Sequence, residues 1–179
     1  IYFRVFNDGL GFRYEWNVQK KLHKFTLADE VTEFNLGEDY KAFCIPGDYD
    51  NNEFPYTTAP LSKIREELPK QSNMGYQNKA KGDLIVQTPL MLKGNNGLYV
   101  NIHEASLVDF PAMELAVDDK NFCLKADLVP DRNGVRGYFQ APARSPWRTI
   151  VVSDDARDIL ASNLILNLNE PCAYDDTSW

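Results

Sequence analysis

The residues whose types and spacing most suggest chemistry lie in the segment GNNGLYVNIHEASLVDF, residues 94–110. Its middle has the period of a β-strand, with Leu98, Val100 and Ile102 pointing to one side. The next residue on that apolar side is Glu104. An ionised carboxylate removed from water costs several kcal/mol unless a cation or hydrogen-bond donors meet it. Glu104 is therefore either a solvated carboxylate at the end of a strand or a carboxylate that binds a positive group.

If Glu104 binds a metal ion, Ca²⁺ is the ion that the composition favours. Acidic oxygens are abundant, with 26 Asp and Glu residues, whereas the chain has only two histidines and three cysteines. His103 points to the opposite side of the strand from Glu104, so the two cannot bind one metal unless the strand bulges or ends there. Ca²⁺ takes about 6–8 oxygen ligands. The others would come from Asp109, backbone, water or chain outside this segment.

A second group of candidate residues lies in ARSPWRTIVVSDDAR, residues 143–157. Trp147 could stack on a sugar ring, and Arg148 could donate hydrogen bonds to its hydroxyl groups. The alternative is that Trp147 belongs to the core and Arg148 lies at its rim. Phe54 and Tyr56 present the same choice, because they either line a groove or fix their loop to the sheet.

Composition and motifs exclude several classes of function. The net charge of −7 argues against nucleic acid and anionic membranes as main partners. No apolar run approaches the roughly 20 residues of a membrane span. The sequence has no GxSxG motif, and its three cysteines, Cys44, Cys123 and Cys172, form no CxxC pair. These patterns support neither a nucleophilic active site nor a structural zinc site, and we expect the cysteines to be buried thiols rather than a disulfide with a spare.

The elements that must position these residues are mainly β-strands. Phe12, Tyr14 and Trp16 alternate with polar residues in GFRYEW, which follows the strand IYFRVF across the turn NDG. Short alternating or apolar runs separated by turn residues continue along the chain and predict an all-β, antiparallel sandwich. The further strands are predicted over residues 24–27, 32–36, 40–45, 84–92, 98–103, 113–117, 121–128, 134–141, 147–153 and 163–168.

Two short helices and one long loop complete the prediction. Residues 61–68 place apolar side chains on one helical face, and Pro69 is expected to end that helix. A second helix is predicted over 153–163, with Ser153 as its N-cap. The segment 46–60 is polar and rich in proline, and loops of that length are often functional.

Three separated blocks resemble glycoside hydrolase family 97, a family of bacterial α-glycosidases from glycan-degrading Bacteroidetes. The blocks are YVNIHEASLVDFPAMEL, SPWRTIVVSDDARDILASNLILNLNEPC and the closing DDTSW. The resemblance implies a β-super-sandwich similar to galactose mutarotase, followed in the family by a catalytic (β/α)₈ barrel. Since the sequence begins with Ile inside a strand pattern, we expect residues 1–170 to be this domain without its first strands, and 171–179 to begin the linker to the barrel.

The resemblance also implies roles for individual residues. The family holds one Ca²⁺ in its active site, and its N-terminal sandwich contributes a glutamate, which corresponds to Glu104. The two catalytic carboxyl groups belong to the barrel, so no catalytic residue is expected here. Trp147 and Arg148 match the family's PWR block as substrate-pocket or interface residues. We expect an exported, periplasmic α-glycosidase, with α-glucosidase action on starch-type oligosaccharides favoured over α-galactosidase action.

Two other functions stay open at this stage. The domain could be an autonomous carbohydrate-binding module, with Trp147, Tyr56 or Phe54 as its stacking platform. It could also be a mutarotase-like epimerase, which needs a general acid and base and for which His103 is the candidate.

Overall fold

A computed structural model describes residues 1–71 and 84–174, and β-strands dominate them. The strands run in chain order as β1 Tyr2–Phe6, β2 Gly9–Arg13, β3 Glu15–Trp16, β4 Lys24–Leu27, β5 Glu33–Asn35, β6 Lys41–Cys44, β7 Thr57–Pro60, β8 Ile85–Val86, β9 Leu90–Lys93, β10 Tyr99–Ala105, β11 Met113–Asp118, β12 Cys123–Leu128, β13 Gly137–Gln140, β14 Ala143–Arg144 and β15 Trp147–Ser153. Within the described ranges three helices accompany them: α1 Leu61–Gln71, α2 Ala156–Ala161 and α3 Leu164–Leu168.

The strands form two main sheets that share one apolar core. The larger sheet has the order β1-β2-β15-β10-β9-β6-β7, and the smaller has the order β5-β12-β11-β8. Leu92 and Ile102 from the larger sheet, and Leu115 and Leu124 from the smaller one, are buried in the same cluster. Two short ribbons, β13-β4 and β14-β3, complete the fold. The predicted all-β, antiparallel sandwich is confirmed.

The central pair of the larger sheet, β10 and β15, carries both groups of candidate residues. Its register runs without interruption from Tyr99 opposite Ser153 to Ala105 opposite Trp147. In that register Glu104 lies directly opposite Arg148. Residues that face each other across an antiparallel pair have Cβ atoms about 4.5–5.5 Å apart. The fold therefore brings a carboxylate and a guanidinium together from segments 44 residues apart.

Helix α1 follows β7 and packs against the main core. Leu61, Ile64 and Leu68 lie on its inner face and are fully buried in the main core. The prediction that Pro69 ends this helix is wrong, because the helix continues to Gln71. A proline removes the single hydrogen bond that its N–H would have donated to the fourth residue before it. So close to the end of the helix, the loss of one bond does not stop the last turn.

The segment after β15 differs from its prediction. The expected single helix over 153–163 is replaced by the shorter α2, and its N-cap is Asp155 rather than Ser153. The Asp155 side chain accepts a hydrogen bond of 2.8 Å from the Arg157 N–H, as an N-cap residue does. Ser153 is instead the last residue of β15.

The strand predicted over 163–168 is helix α3. Leu164 and Leu168 are four residues apart, so in a helix they face the same side. Both are buried in a second apolar cluster with Trp147, Val151 and Ala105, on the outer face of the larger sheet. Tertiary packing decides between helix and strand for such a short apolar segment.

Other differences concern short strands. The run 84–92, predicted as one strand, forms β8 in the smaller sheet and β9 in the larger sheet. Pro89 lies between them and has no N–H to donate to a ladder, which suits a break in pairing at this point. Strand β7, within the loop predicted over 46–60, and strand β14 were not predicted.

Candidate functional site

Glu104 lies near the end of β10 and is buried, with 6% of its surface exposed. The Met113 N–H donates a hydrogen bond of 2.8 Å to Glu104 Oε2, and Arg148 Nη1 donates to Glu104 Oε1. The interpretation of Glu104 as a solvated carboxylate at a strand end is therefore wrong. A donor and a cation meet the carboxylate inside the protein.

Arg148 has no exposed surface and contacts two carboxylates at once. Its Nε donates a hydrogen bond of 2.9 Å to Glu30 Oε1, and its Nη2 donates to Glu30 Oε2. The planar guanidinium thus holds Glu30 with two parallel bonds and Glu104 with one. Glu30, Glu104 and Arg148 are called the buried triad below.

Neighbouring side chains hold Glu30 in place. Thr32 Oγ1 donates a hydrogen bond of 2.8 Å to Glu30 Oε1, and the Tyr14 hydroxyl lies 2.8 Å from the same Thr32 oxygen. The Arg148 guanidinium lies 5.8 Å from the centre of the Phe110 ring. These contacts fix the orientation of Glu30 and Arg148, since each polar atom named has a partner and the cation has an aromatic neighbour.

The buried triad contains two carboxylates and one guanidinium, so it carries a net charge of −1 when all three groups are ionised. Burial raises the pKa of the Glu104 carboxyl, although the Arg148 guanidinium and the Met113 N–H act to lower it. Burial alone would lower the pKa of Arg148, but its contacts with Glu30 and Glu104 raise it instead. The excess negative charge can be relieved by a proton or by a further cation.

Two clefts flank the buried triad. The first, called the acidic cleft, has a volume of about 340 Å³, and Glu104 is part of its wall. Asp48, Asp50 and Glu114 supply its other carboxylates. The second, called the aromatic cleft, has a volume of about 210 Å³, and Glu30 is part of its wall together with Tyr14, Trp16, Leu27, Asp29, Val31 and Phe110. Glu104 and Glu30 thus border different cavities, with Arg148 bonded to both.

His103 and Asp109, the other candidates near Glu104, differ in their surroundings. His103 is half-buried in the wall of the acidic cleft, and its Nδ1 lies 3.2 Å from Thr88 Oγ1. Burial lowers the pKa of His103. Asp109 is exposed, with a left-handed backbone φ of 49°. The structure therefore brings His103, but not Asp109, to the same cleft as Glu104.

The aromatic candidates are dispersed. Trp147 is 2% exposed, and the guanidinium groups of Arg4 and Arg13 lie 5.1 and 4.4 Å from its ring centre. In the part of the chain that the structure describes, Trp147 packs in the second apolar cluster and has no face open for stacking. Tyr56 is 63% exposed, whereas Phe54 is half-buried. A substrate-binding role for Trp147 and Arg148 stays a prediction.

The donor set at Glu104 fits one ligand of a calcium site, not a complete one. Across residues 1–71 and 84–174, no group of three or more His, Cys, Asp or Glu residues could hold a metal ion. Each Glu104 oxygen accepts one hydrogen bond, and a carboxylate has about four lone-pair positions. Glu104 can therefore add a hard oxygen ligand to a site whose other ligands come from elsewhere.

In the same described part of the chain, no helix is long and apolar enough to cross a membrane.

Sequence comparison identifies related glycosidases. A retaining alpha-galactosidase of Bacteroides thetaiotaomicron is 25% identical over an alignment that covers 100% of this chain and 28% of that protein. A glycoside hydrolase family 97 enzyme of Pseudoalteromonas sp. strain K8, solved in complex with acarbose, is 34% identical and superposes with a TM-score of 0.81. A variant of that enzyme in complex with panose superposes with a TM-score of 0.83.

The chain spans about a quarter of the length of these relatives. It aligns over 99% of its own residues, and these correspond to 24% of each Pseudoalteromonas structure. The sequence model described as Glycosyl-hydrolase 97 N-terminal matches residues 1–171. The buried triad and both clefts lie within that match. The chain belongs to glycoside hydrolase family 97, as its N-terminal domain.

Proposed function

We propose that this domain belongs to an α-glycosidase acting on starch-type oligosaccharides, and that it supplies Glu104 to a calcium site shared with a catalytic barrel. The single observation that carries the calcium role is a buried, oriented carboxylate that borders an acidic cleft and belongs to a triad with excess negative charge. The domain alone is inactive in this proposal, because the carboxyl pair that cleaves the glycosidic bond lies in the barrel.

The choice of substrate rests on the relatives. The Pseudoalteromonas enzyme, at 34% identity, was solved with acarbose and with panose, and panose is a trisaccharide of glucose. The alpha-galactosidase is less similar, at 25% identity. These identities favour α-glucoside over α-galactoside hydrolysis for the protein that contains this domain.

The residues of this chain would prepare Glu104 for the metal. The Met113 N–H and Arg148 Nη1 fix its carboxylate at the wall of the acidic cleft, so little side-chain entropy remains to be lost on binding. In that site, held in part by Glu104, Ca²⁺ would supply stabilisation of charge that develops on the substrate and would help to orient the attacking group. Burial of the triad excludes water and so strengthens its electrostatic interactions.

The calcium role is tested by Glu104→Gln in the full-length protein. We expect the Kd for Ca²⁺, measured by calorimetry after chelation, to rise at least tenfold, and hydrolysis of panose to fall in parallel. Glu33→Gln is the matched control, because Glu33 is an exposed carboxylate paired with Lys125 at 3.0 Å. Unchanged calcium affinity in Glu104→Gln would contradict the role. Comparing panose with an α-galactoside tests the substrate class.

An autonomous carbohydrate-binding function is the second candidate, and the aromatic cleft favours it. Tyr14, Trp16 and Phe110 line this cleft beside the Asp29 and Glu30 carboxylates, a combination that suits a sugar ring and its hydroxyl groups. Calorimetric titration of malto-oligosaccharides into the 179-residue chain with calcium separates the two proposals. Binding that is lost in Trp16→Ala supports the module, whereas an absence of binding supports a domain that holds only part of a shared site.

The proposal includes export to the periplasm, which rests on the family resemblance alone. Fractionation of the producing cells tests it, and recovery of the protein with cytoplasmic markers would contradict it.

A further inference from the structure

We propose that Glu30 is a positioning residue that pairs with Arg148 and thereby leaves the Glu104 carboxylate negatively charged toward a calcium ion in the acidic cleft. The inference rests on the proposed calcium role of Glu104. Glu30 itself has no part in binding the ion. It acts through Arg148, whose positive charge would otherwise be directed at Glu104 alone.

The division of hydrogen bonds within the buried triad is unequal. Arg148 Nε and Nη2 both donate to Glu30, which occupies one complete edge of the guanidinium. Glu104 receives only Nη1, and on only one of its oxygens. A bidentate pair between arginine and a carboxylate is stronger than a single contact and more specific in its geometry. Glu30 and Arg148 thus form a nearly neutral pair, and Glu104 is the carboxylate that remains in excess.

The two carboxylates also border different cavities. Glu30 lines the aromatic cleft, whereas Glu104 lines the acidic cleft. A cation that enters the acidic cleft therefore meets Glu104 and not Glu30. Thr32 Oγ1 holds Glu30 at 2.8 Å, and the Met113 N–H holds Glu104 at 2.8 Å, so each carboxylate is fixed on its own side of Arg148.

Loss of the Glu30 charge should weaken calcium binding from a distance. In Glu30→Gln, Arg148 has Glu104 as the only ionised partner within the triad, and their charges cancel. An opposite charge within about 4–6 Å changes the affinity of a carboxylate for a proton by roughly 10- to 1,000-fold. The same competition applies to a metal ion. We expect the Kd for Ca²⁺ to rise about tenfold or more.

The test measures calcium affinity and stability separately in the full-length protein. Glu30→Gln and Glu33→Gln each remove one negative charge from neighbouring positions, but only Glu30 contacts Arg148. For both variants, the Kd for Ca²⁺ is measured by calorimetry, and the Tm is measured without calcium. A purely structural role for Glu30 would lower the Tm and leave the Kd unchanged. If Glu30→Gln does not melt cooperatively, Glu30→Asp replaces it, because it withdraws the carboxylate by one methylene and has the same expected direction.

The outcomes separate this inference from the proposed function. A raised Kd in the Glu30 variant, with Glu33→Gln unchanged, supports the inference. If Glu104→Gln raises the Kd but the Glu30 variant leaves it within twofold of the wild type, or lowers it, Glu30 does not set the charge and the inference alone is overturned. If Glu104→Gln leaves the Kd unchanged, the calcium role fails, and the inference fails with it.

Discussion

Replacing Arg148 by methionine tests whether the buried triad is the ionic cluster described here. Methionine is unbranched like arginine and can pack along the same path, but it removes the only positive charge of the triad. Glu30 and Glu104, which are 7% and 6% exposed, would then be two buried carboxylates that repel each other without the cation that both contact. We expect Arg148→Met to destabilise the domain strongly at neutral pH.

The expected loss in the free energy of unfolding follows from the cost of neutralising one carboxylate. Protonating a carboxyl group with an ordinary pKa of about 4.3 at pH 7.3 costs about 4 kcal/mol, because each pH unit is worth about 1.4 kcal/mol. Breaking a buried ion pair by removing one partner costs about 3–5 kcal/mol, which agrees. The cost should shrink as the pH falls, since solvent protons then neutralise the orphaned carboxylate. At pH 5.3 we expect a loss of roughly 1.4 kcal/mol.

Urea denaturation of the wild type and of Arg148→Met at pH 7.3 and pH 5.3 measures both values. The triple variant Glu30→Gln, Arg148→Met and Glu104→Gln is the control, because it leaves no charge in the triad and should recover most of the stability at both pH values. A cost under about 1 kcal/mol at pH 7.3, or a cost independent of pH, would refute the ionic account of the triad.

Two further predictions concern thiols and acid stability. The expectation of buried thiols is confirmed for Cys44 and Cys123 and is wrong for Cys172, which is exposed. Burial raises the pKa of Cys44 to about 12 and also raises that of Cys123. Iodoacetamide at pH 8 should therefore label only Cys172 in the native chain, as read by peptide mapping, and labelling of Cys44 before unfolding would contradict its burial. Asp119 accepts two hydrogen bonds from Arg65, and these lower the pKa of Asp119. The pair therefore stabilises the fold above pH 4, and its contribution is lost as the pH falls through the lowered pKa. Asp119→Asn should cost at most about 1 kcal/mol at pH 7 and less at pH 3, and equal costs at both pH values would argue against the pair.

The sequence predicted a long strand rich in aromatic and β-branched residues well, and it failed for strands of two residues. Strand β15 has the predicted bounds, Trp147–Ser153, because five of its seven residues are aromatic or β-branched and favour a strand. Strands β3 and β14 contain two residues each, too few to carry a period. The α3 segment was predicted as a strand because local alternation does not report the second cluster against which it packs.

The candidate site was predicted in part. The position of Glu104 on an apolar face indicated that it needs a partner, and Arg148 was a candidate for another role. That the two are partners depends on the register of β10 and β15, which a single sequence does not specify. Glu30 was missed. A signal that could have found it is the alternation of the strand predicted over 32–36. Extended two residues backward from Thr32, that alternation places Glu30 on the same face as Phe34, and the structure buries all three.

The direct opposition of Glu104 and Arg148 across β10 and β15 also couples the two positions in evolution. Arg148 cannot change alone without leaving buried carboxylates unmatched, so evolution can replace it only by concerted substitution or through a stabilised intermediate. Among descendants of this domain, we expect positions 104 and 148 to vary together, and position 30 to follow them. Homologues with an apolar residue at 148 should then have lost the acid at 104 as well, and with it the carboxylate that we propose for a metal site shared with a neighbouring domain.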